Sequence, residues 1–381
     1  MLSFTFNTTP SIIFAAGALV NLGEVAAVRL GPRVLVVTDA GLVRAGLVEA
    51  ALRSLTRSGI AVDVFEGVVA DPPEAVVLEA SAQAHAFDAT GIIGLGGGSS
   101  LDVAKLVALL VRGGEGLPQI YGVGLAKGPR LPLLLVPTTA GTGSEVTPIS
   151  IVTTGAHEKK GVVSPVLLPD VALLDPELTL GLPPAVTAAT GIDAMVHAIE
   201  AYTSASPNNN PVSRALACEA LRLLGRNIRR AVHHGHDLEA RSAMLLGSLL
   251  AGQAFANSPV AAVHALAYPL GGHFGVPHGL SNALVLPHVL RFNAPACGSR
   301  YAELLPHAFP ERAGGGAEAF IEGVEELGRA CGLESRLRDV GIPADAVPIM
   351  AQDAMRQTRL LVNNPRPVTL EDARAIYAAA W

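Results

Sequence analysis

The 381-residue sequence predicts a chain in two parts: an α/β domain with a mostly parallel sheet over residues 1–180, then an all-helical domain over 181–381. Three observations carry that reading. Up to about residue 180, short β-rich runs alternate with stretches of helical periodicity, as in a parallel sheet covered on both faces. From LPPAVTAATG onward nearly every segment has Ala- and Leu-rich helical spacing, and strand-like runs almost vanish. Finally, a mass of 39.1 kDa suffices for two full cores. With half the residues apolar and 16% charged, disorder, coiled coil and collagen are excluded.

The elements follow in order. RVLVVTDAG (33–41) is a strand closed by a turn, and helical periodicity runs from there to about residue 58. AVDVFEGV (61–68) is a second strand, and a helix starts behind the Pro pair of ADPPEAVVLEASAQAHA. GIIGLGGGSS (91–100) is a third strand running into a glycine turn, with LDVAKLVALLV as its helix. LPLLLVPTTAGTGSE (131–145) is a fourth, ending in a loop rich in Gly and Thr. Sheets of this kind bind ligands beyond the C-terminal ends of their strands.

The balance of the composition narrows the partners. A net charge of 27 − 33 = −6 offers no electrostatic footprint for nucleic acid or an anionic membrane. Three cysteines (Cys218, Cys297, Cys331) build no disulfide framework and fit a reducing cytoplasm. Only four lysines occur (Lys105, Lys127, Lys159, Lys160), so each merits inspection. Mean hydropathy is high, at +0.42, and residues 242–290 contain no Asp, Glu, Lys or Arg. That stretch is interrupted by Gln253, Asn257, Pro259, His264, Pro269, His273 and Pro277 among others, whereas a spanning helix needs about 20 mostly apolar residues in a row. It reads as the buried centre of a soluble domain. MLSFTFNTTPSIIF lacks a basic segment followed by an apolar core, so no signal peptide is expected.

Three places offer cofactor chemistry. GLGGGSS (94–100) lies between a strand and a helix, where glycines let the backbone approach a pyrophosphate at a helix N-terminus. Ser99 and Asp102 equally suit a helix capping box. Asp39, closing the first predicted strand, suits either the hydroxyls of an adenosine ribose or a turn or cap. PTTAGTGSE (137–145) offers the hydroxyls of Thr138, Thr139, Thr142 and Ser144 on an open backbone.

Two further regions offer metal chemistry. Asp193 is the only charged residue between Glu177 and Glu200, and His197 follows four residues later on the same helical face. Half a metal site is one reading; a capping box from Thr190 to Asp193, with a core histidine, is the other. The charge-free stretch then supplies His264, His273, His278 and His288, and buried imidazoles need partners. An Asp with neutral imidazoles suits Fe, Zn, Co or Ni better than Mg or Ca.

TAATGIDAMVHAIEAY, HALAYPLGGHFGVPHGLSNALVLPHVLRFN, GLGGGSSLDVAK and PTTAGTGSE together resemble the signature segments of the iron-containing (group III) alcohol dehydrogenase family. The resemblance extends over essentially the whole chain, to NNPRPVTLEDARAIY (363–377). It implies an N-terminal Rossmann-like domain, a helical C-terminal domain and an active site in the cleft between them, as in the dehydroquinate synthase-like superfamily. It implies a divalent metal, Fe2+ or alternatively Zn2+, on Asp193, His197, His264 and His278. It implies NAD, with Gly96, Gly97, Gly98, Ser99 and Asp102 at the pyrophosphate, Asp39 at the adenosine ribose, and Thr138, Thr139, Thr142 and Ser144 on the nicotinamide side. Lys159 aligns with a cofactor-contacting lysine, with Lys160 as a substitute, and Asp71 falls where many members carry Asn near the cofactor.

One position departs from the pattern. Well-known members carry a further His four residues after the third ligand, and this chain has Tyr268 there. Tyr268 or His273 is then the candidate for relaying a proton. The activity implied is reversible hydride transfer between a small alcohol and its aldehyde or ketone, by a cytoplasmic homo-oligomer (dimer or larger) without nucleic-acid or membrane partners. A glycerol dehydrogenase-like or maleylacetate reductase-like oxidoreductase on the same fold, or a metal-binding protein with a degenerate site, are the alternatives.

Overall fold

The computed structural model describes residues 3–155 and 158–381. Its contacts divide the chain into two compact units, Asn7–Thr139 with Ser144–Thr179, and Leu180–Trp381 with Ala140–Gly143 and the segment up to Phe6.

Among the described residues the first unit holds nine strands: β1 (Ser11–Phe14), β2 (Arg33–Val37), β3 (Ala61–Phe65), β4 (Gly91–Gly96), β5 (Gly122–Val123), β6 (Leu133–Pro137), β7 (Ile149–Thr154), β8 (Glu158–Val163) and β9 (Val171–Leu174). Between them run α1 (Leu22–Arg29), α2 (Ala40–Arg44), α3 (Leu47–Arg57), α4 (Glu74–Ala86), α5 (Gly98–Gly113) and α6 (Leu117–Ile120). Six strands form a parallel sheet in the order β1-β9-β6-β4-β2-β3. Alternate side chains of each central strand enter opposite cores. Leu35, Val37, Ile92, Leu133 and Leu135 pack on one face with Val77, Leu101 and Val103. Val34, Val36, Ile93, Leu95 and Leu134 pack on the other with Leu22, Val48 and Leu55. Burial on both faces is why these strands read as continuous apolar runs in the sequence.

The four predicted strands form, each a few residues shorter than its apolar run, and the expectation of a Rossmann-like domain followed by a helical one is borne out. Two features were not anticipated. Ser11–Phe14 pairs in parallel with Val171–Leu174, so the glycine segment follows the fourth strand of the chain and not the third. A small sheet, β5-β8-β7, is built on an antiparallel pairing of Ile149–Thr154 with Glu158–Val163.

The second unit is helical throughout its described residues: α7 (Pro184–Thr203), α8 (Pro211–His233), α9 (Leu238–Asn257), α10 (Ala262–Phe274), α11 (His278–Ala308), α12 (Gly316–Ala330), α13 (Val347–Met355), α14 (Thr358–Leu361) and α15 (Leu370–Ala380). α7, α8 and α9 pack mutually through Ile199, Met195, Leu221, Leu224, Ile228, Met244 and Leu245, all buried. α11 breaks at Cys297, two residues after Pro295, whose missing N–H interrupts the helical ladder. Among the described residues no helix is long and apolar enough to cross a membrane. The charge-free stretch 242–290 supplies most of α9 and α10, whose residues are largely buried.

Candidate active site

The helical unit gathers the candidate metal ligands from three elements. α7 starts at Pro184, so Thr190 lies inside the helix, where its hydroxyl donates to the Val186 carbonyl (2.8 Å). That removes the capping-box reading of Thr190 and Asp193. Asp193, His197 and Glu200 instead form one inward face at i, i+4 and i+7. α10 contributes His264, and Pro277 ends a turn so that His278 opens α11. The close approach of α11 to α7 needs Gly279, because a Cβ there would lie 2.3 Å from the Ala189 carbonyl oxygen.

One oxygen of Asp193 is the centre of the arrangement. Its Oδ1 lies 3.9 Å from Nε2 of His197, 3.8 Å from Nε2 of His264 and 3.7 Å from Nε2 of His278. Asp193, His264 and His278 each present a ligand atom within 4.8 Å of the others. The opposite ring nitrogens are committed outward. Nδ1 of His197 donates to the Gly141 carbonyl (3.2 Å), and Nδ1 of His264 donates to Glu200 Oε2 (2.7 Å). Both rings therefore turn an Nε2 lone pair toward a carboxylate oxygen, an arrangement that repels itself unless a cation is shared. The separations are slightly wider than those of ligands on one first-row cation, about 3.3–3.6 Å for bonds of about 2.0–2.2 Å.

Two more observations agree with a cation there. Asn282 turns its amide nitrogen to Asp193 Oδ1 (2.6 Å) and to Nε2 of His264 and His278 (3.4 and 3.3 Å), while its buried carbonyl oxygen has no hydrogen-bond partner. Burial lowers His197 to about 3, so its ring stays neutral; burial would raise Asp193, but the facing histidines and the Asn282 amide hold it below the ordinary carboxylate range. The residues present thus fit a divalent metal. His197 is further stacked on Phe255 at 4.3 Å between ring centroids. His278 alone is open to solvent, with a side chain 41% exposed against 3% for Asp193.

The two proton-relay candidates separate. Tyr268, one turn after His264 on α10, brings its ring to 6.0 Å from that of His278. His273 lies nine residues after His264, about half a rotation away on the same helix. Its Nε2 meets Asp353 Oδ2 of α13 at 2.5 Å, and it does not join the metal-ligand cluster.

In the α/β unit, the chain reverses its winding direction between β2 and β4, the strands that lead to Asp39 and to Gly97. That is the switch point at which such sheets bind ligands. α5 begins at Gly98 behind Gly97 with no side-chain cap, leaving its first amides for a ligand and removing the capping reading of Ser99 and Asp102. Gly96 sits at φ 155, and a Cβ there would meet Ser100 Oγ at 2.6 Å. Thr138 is buried with its N–H on the Gly96 carbonyl (2.9 Å), and Thr139 lies beside Gly97. These features fit a dinucleotide pyrophosphate. Asp39 caps α2, with Oδ1 accepting from the amides of Gly41 and Leu42 (2.9 and 3.1 Å). Lys159 pairs with Asp71 and donates to Thr153 Oγ1 (3.2 Å), whereas Lys160 pairs with Glu158 (3.4 Å). Thr142 belongs to the helical unit.

Sequence reasoning missed Glu200, Asn282 and Lys105. Glu200 was legible as the third member of the Asp193 face. Lys105 stood out as one of four lysines, and Asn282 carried no signal.

A Rossmann-like unit and a helical unit that fits a divalent metal are the marks of a metal- and dinucleotide-dependent class of oxidoreductases. Residues 9–176 match the family described as iron-containing alcohol dehydrogenase, and residues 187–381 match the Fe-containing alcohol dehydrogenase family, C-terminal. The chain is 44% identical to long-chain-alcohol dehydrogenase 1 of Geobacillus thermodenitrificans, over 93% of this chain and 91% of the relative. It superposes on a crystal structure of 1,3-propanediol oxidoreductase with a TM-score of 0.96 at 36% identity, covering all of both chains. It superposes likewise on sulfoacetaldehyde reductase from Bifidobacterium kashiwanohense in complex with NAD+, with a TM-score of 0.89 at 28% identity, covering 100% of this chain and 99% of the other. The chain belongs to the iron-containing alcohol dehydrogenase family, as its motifs led us to expect, and it is an alcohol oxidoreductase.

Proposed function

We propose that this enzyme is an NAD(H)-dependent alcohol dehydrogenase that carries one divalent metal, iron or alternatively zinc, and interconverts a small alcohol with its aldehyde or ketone. The observation that carries the reading is the convergence of three imidazole Nε2 atoms on one oxygen of Asp193. When bound, the metal would supply Lewis acidity toward the substrate oxygen and NAD would supply a hydride acceptor. Asp193, His197, His264 and His278 hold the metal. Glu200 and the Gly141 carbonyl fix the tautomers of two of those rings, and Phe255 shields His197 from water. Tyr268, beside the solvent-open His278, receives the hydroxyl proton of the alcohol and passes it to water. His273 is held by Asp353 and takes no part. Residues 1–180 carry the dinucleotide, on Gly96, Gly97, Gly98, Ser99, Thr138, Thr139 and Asp39, with Lys159 as a further contact.

We place the enzyme in the cytoplasm, as a homo-oligomer of two or more subunits. Its three cysteines are free, and Phe4 and Ile12 are exposed apolar side chains near the first strand. Metal analysis after anaerobic purification, with turnover on a panel of alcohols and NAD, tests the reading. About one metal per chain and NAD-linked oxidation are expected. A metal-free chain that oxidises alcohols equally well would overturn it.

A further inference from the structure

Behind the dinucleotide loop lies a charged cluster that the proposed chemistry does not use. Lys105, on the second turn of α5, is fully buried. Its Nζ donates to Ser144 Oγ (2.8 Å), Thr147 Oγ1 (3.2 Å) and the Ile149 carbonyl (2.7 Å), so all three N–H groups are used. Asp102, three residues earlier, stands 3.8 Å from that ammonium. Its Oδ1 accepts from Ser144 Oγ (2.6 Å) and its Oδ2 from the Ile151 amide (2.8 Å), while its main-chain carbonyl accepts from Ser150 Oγ (2.9 Å). Every partner lies between Ser144 and Ile151, on the chain that returns from the Gly/Thr loop into β7.

Burying an ammonium and a carboxylate costs several kcal/mol, and a hydrophobic replacement packs such a place as well or better. The charges here buy no ordinary core stability. What they supply is direction: five hydrogen bonds from one helical turn to one loop, each with a defined donor and acceptor. Burial lowers Lys105 to about 8 against the opposing pull of Asp102 and Glu145, so the ammonium persists at neutral pH.

We propose that Lys105 and Asp102 are positioning residues which pin Ser144–Ile151 to α5, setting the shape of the dinucleotide site from beneath without touching the dinucleotide. The proposal rests on the NAD reading above, and it moves Asp102 and Ser144 from cofactor contacts to parts of the support.

The test uses the metal-loaded enzyme and Lys105→Met, with Thr147→Val as a milder variant should the first fail to fold. Two measurements are made: hydrogen exchange of the amides in 144–151, and NADH affinity by fluorescence titration. In Lys105→Met, exchange in 144–151 is expected to rise at least about tenfold while the helical unit keeps its protection. NADH Kd and KM for NAD are expected to rise about ten- to hundredfold, with kcat at saturating NAD within about twofold of wild type. Unchanged NADH affinity, or protection lost equally across the whole chain, would overturn the proposal. A wild-type enzyme that binds no NADH brings down the NAD reading itself, and the exchange measurement then decides the anchoring alone.

Discussion

Glu200 receives three hydrogen bonds on two oxygens. Oε1 accepts from the Val263 amide at 2.7 Å, and Oε2 accepts from the Ala261 amide at 3.0 Å and from His264 Nδ1 at 2.7 Å. It therefore caps the start of α10 and orients His264, a proposed metal ligand, with the same carboxylate. Glu200→Gln keeps the shape and offers one acceptor oxygen in place of two. Whichever way the new amide turns, its NH2 faces at least one of these donors. If it faces Val263, that buried N–H is orphaned. If it faces His264, the ring must accept at Nδ1 and carry its proton on Nε2, where it points at Asp193 and blocks the metal. An orphaned buried donor costs about 1–3 kcal/mol, so the melting temperature falls. Loss of the partner behind a ligating histidine costs about 10–100-fold in metal affinity, or about 1.4–2.7 kcal/mol. The assay is a chelator titration of metal-loaded wild type and variant, read by released metal, beside a calorimetric melt of each. Wild-type metal affinity and melting temperature in Glu200→Gln would refute the reasoning.

Three other outcomes follow from named contacts. Asp39→Gly is expected to narrow or reverse a wild-type preference for NAD over NADP of about 1–3 kcal/mol, measured as the ratio of kcat/KM values, because a carboxylate at the proposed ribose position would repel a 2′-phosphate; a wild type that prefers NADP contradicts the proposed placement. Tyr268→Phe is expected to keep metal and NADH binding yet lower kcat by about ten- to a thousandfold with an altered pH profile, and a profile that overlays wild type would reduce the hydroxyl to a packing group. Burial raises Glu145 to about 7 from 4.5, so the folded chain binds the extra proton between those values, and this group's stability contribution is full below 4.5 and lost as pH rises through 7. Glu145→Gln stays neutral, so its melting temperature relative to wild type should climb between pH 5 and pH 8, and a constant difference across that range would show the buried carboxyl does not titrate there.

The runs at 33–37, 91–96 and 133–137 were legible as strands because strands buried on both faces carry near-continuous apolar sequence, and 61–65, a half-buried edge strand, was legible from its β-rich AVDVF. Asp193 and His197 were legible as neighbours because helical spacing acts within one turn. The same spacing set His273 half a rotation from His264, although its meeting with Asp353, 80 residues on, was a matter of packing. Where α7 begins also lay beyond local pattern, and only its start at Pro184 separated the metal reading of Asp193 and His197 from a capping box of Thr190 and Asp193. The pairing of Ser11–Phe14 with Val171–Leu174, the hold of Glu200 on His264 and that of Asn282 on Asp193 join residues 64 or more positions apart. Periodicity reaches one turn of helix or one pleat of strand. Which turns and pleats then meet is decided by how whole faces pack, so this sequence by itself determined its elements and its candidate ligands, and the tertiary structure alone decided which residues hold those ligands in place.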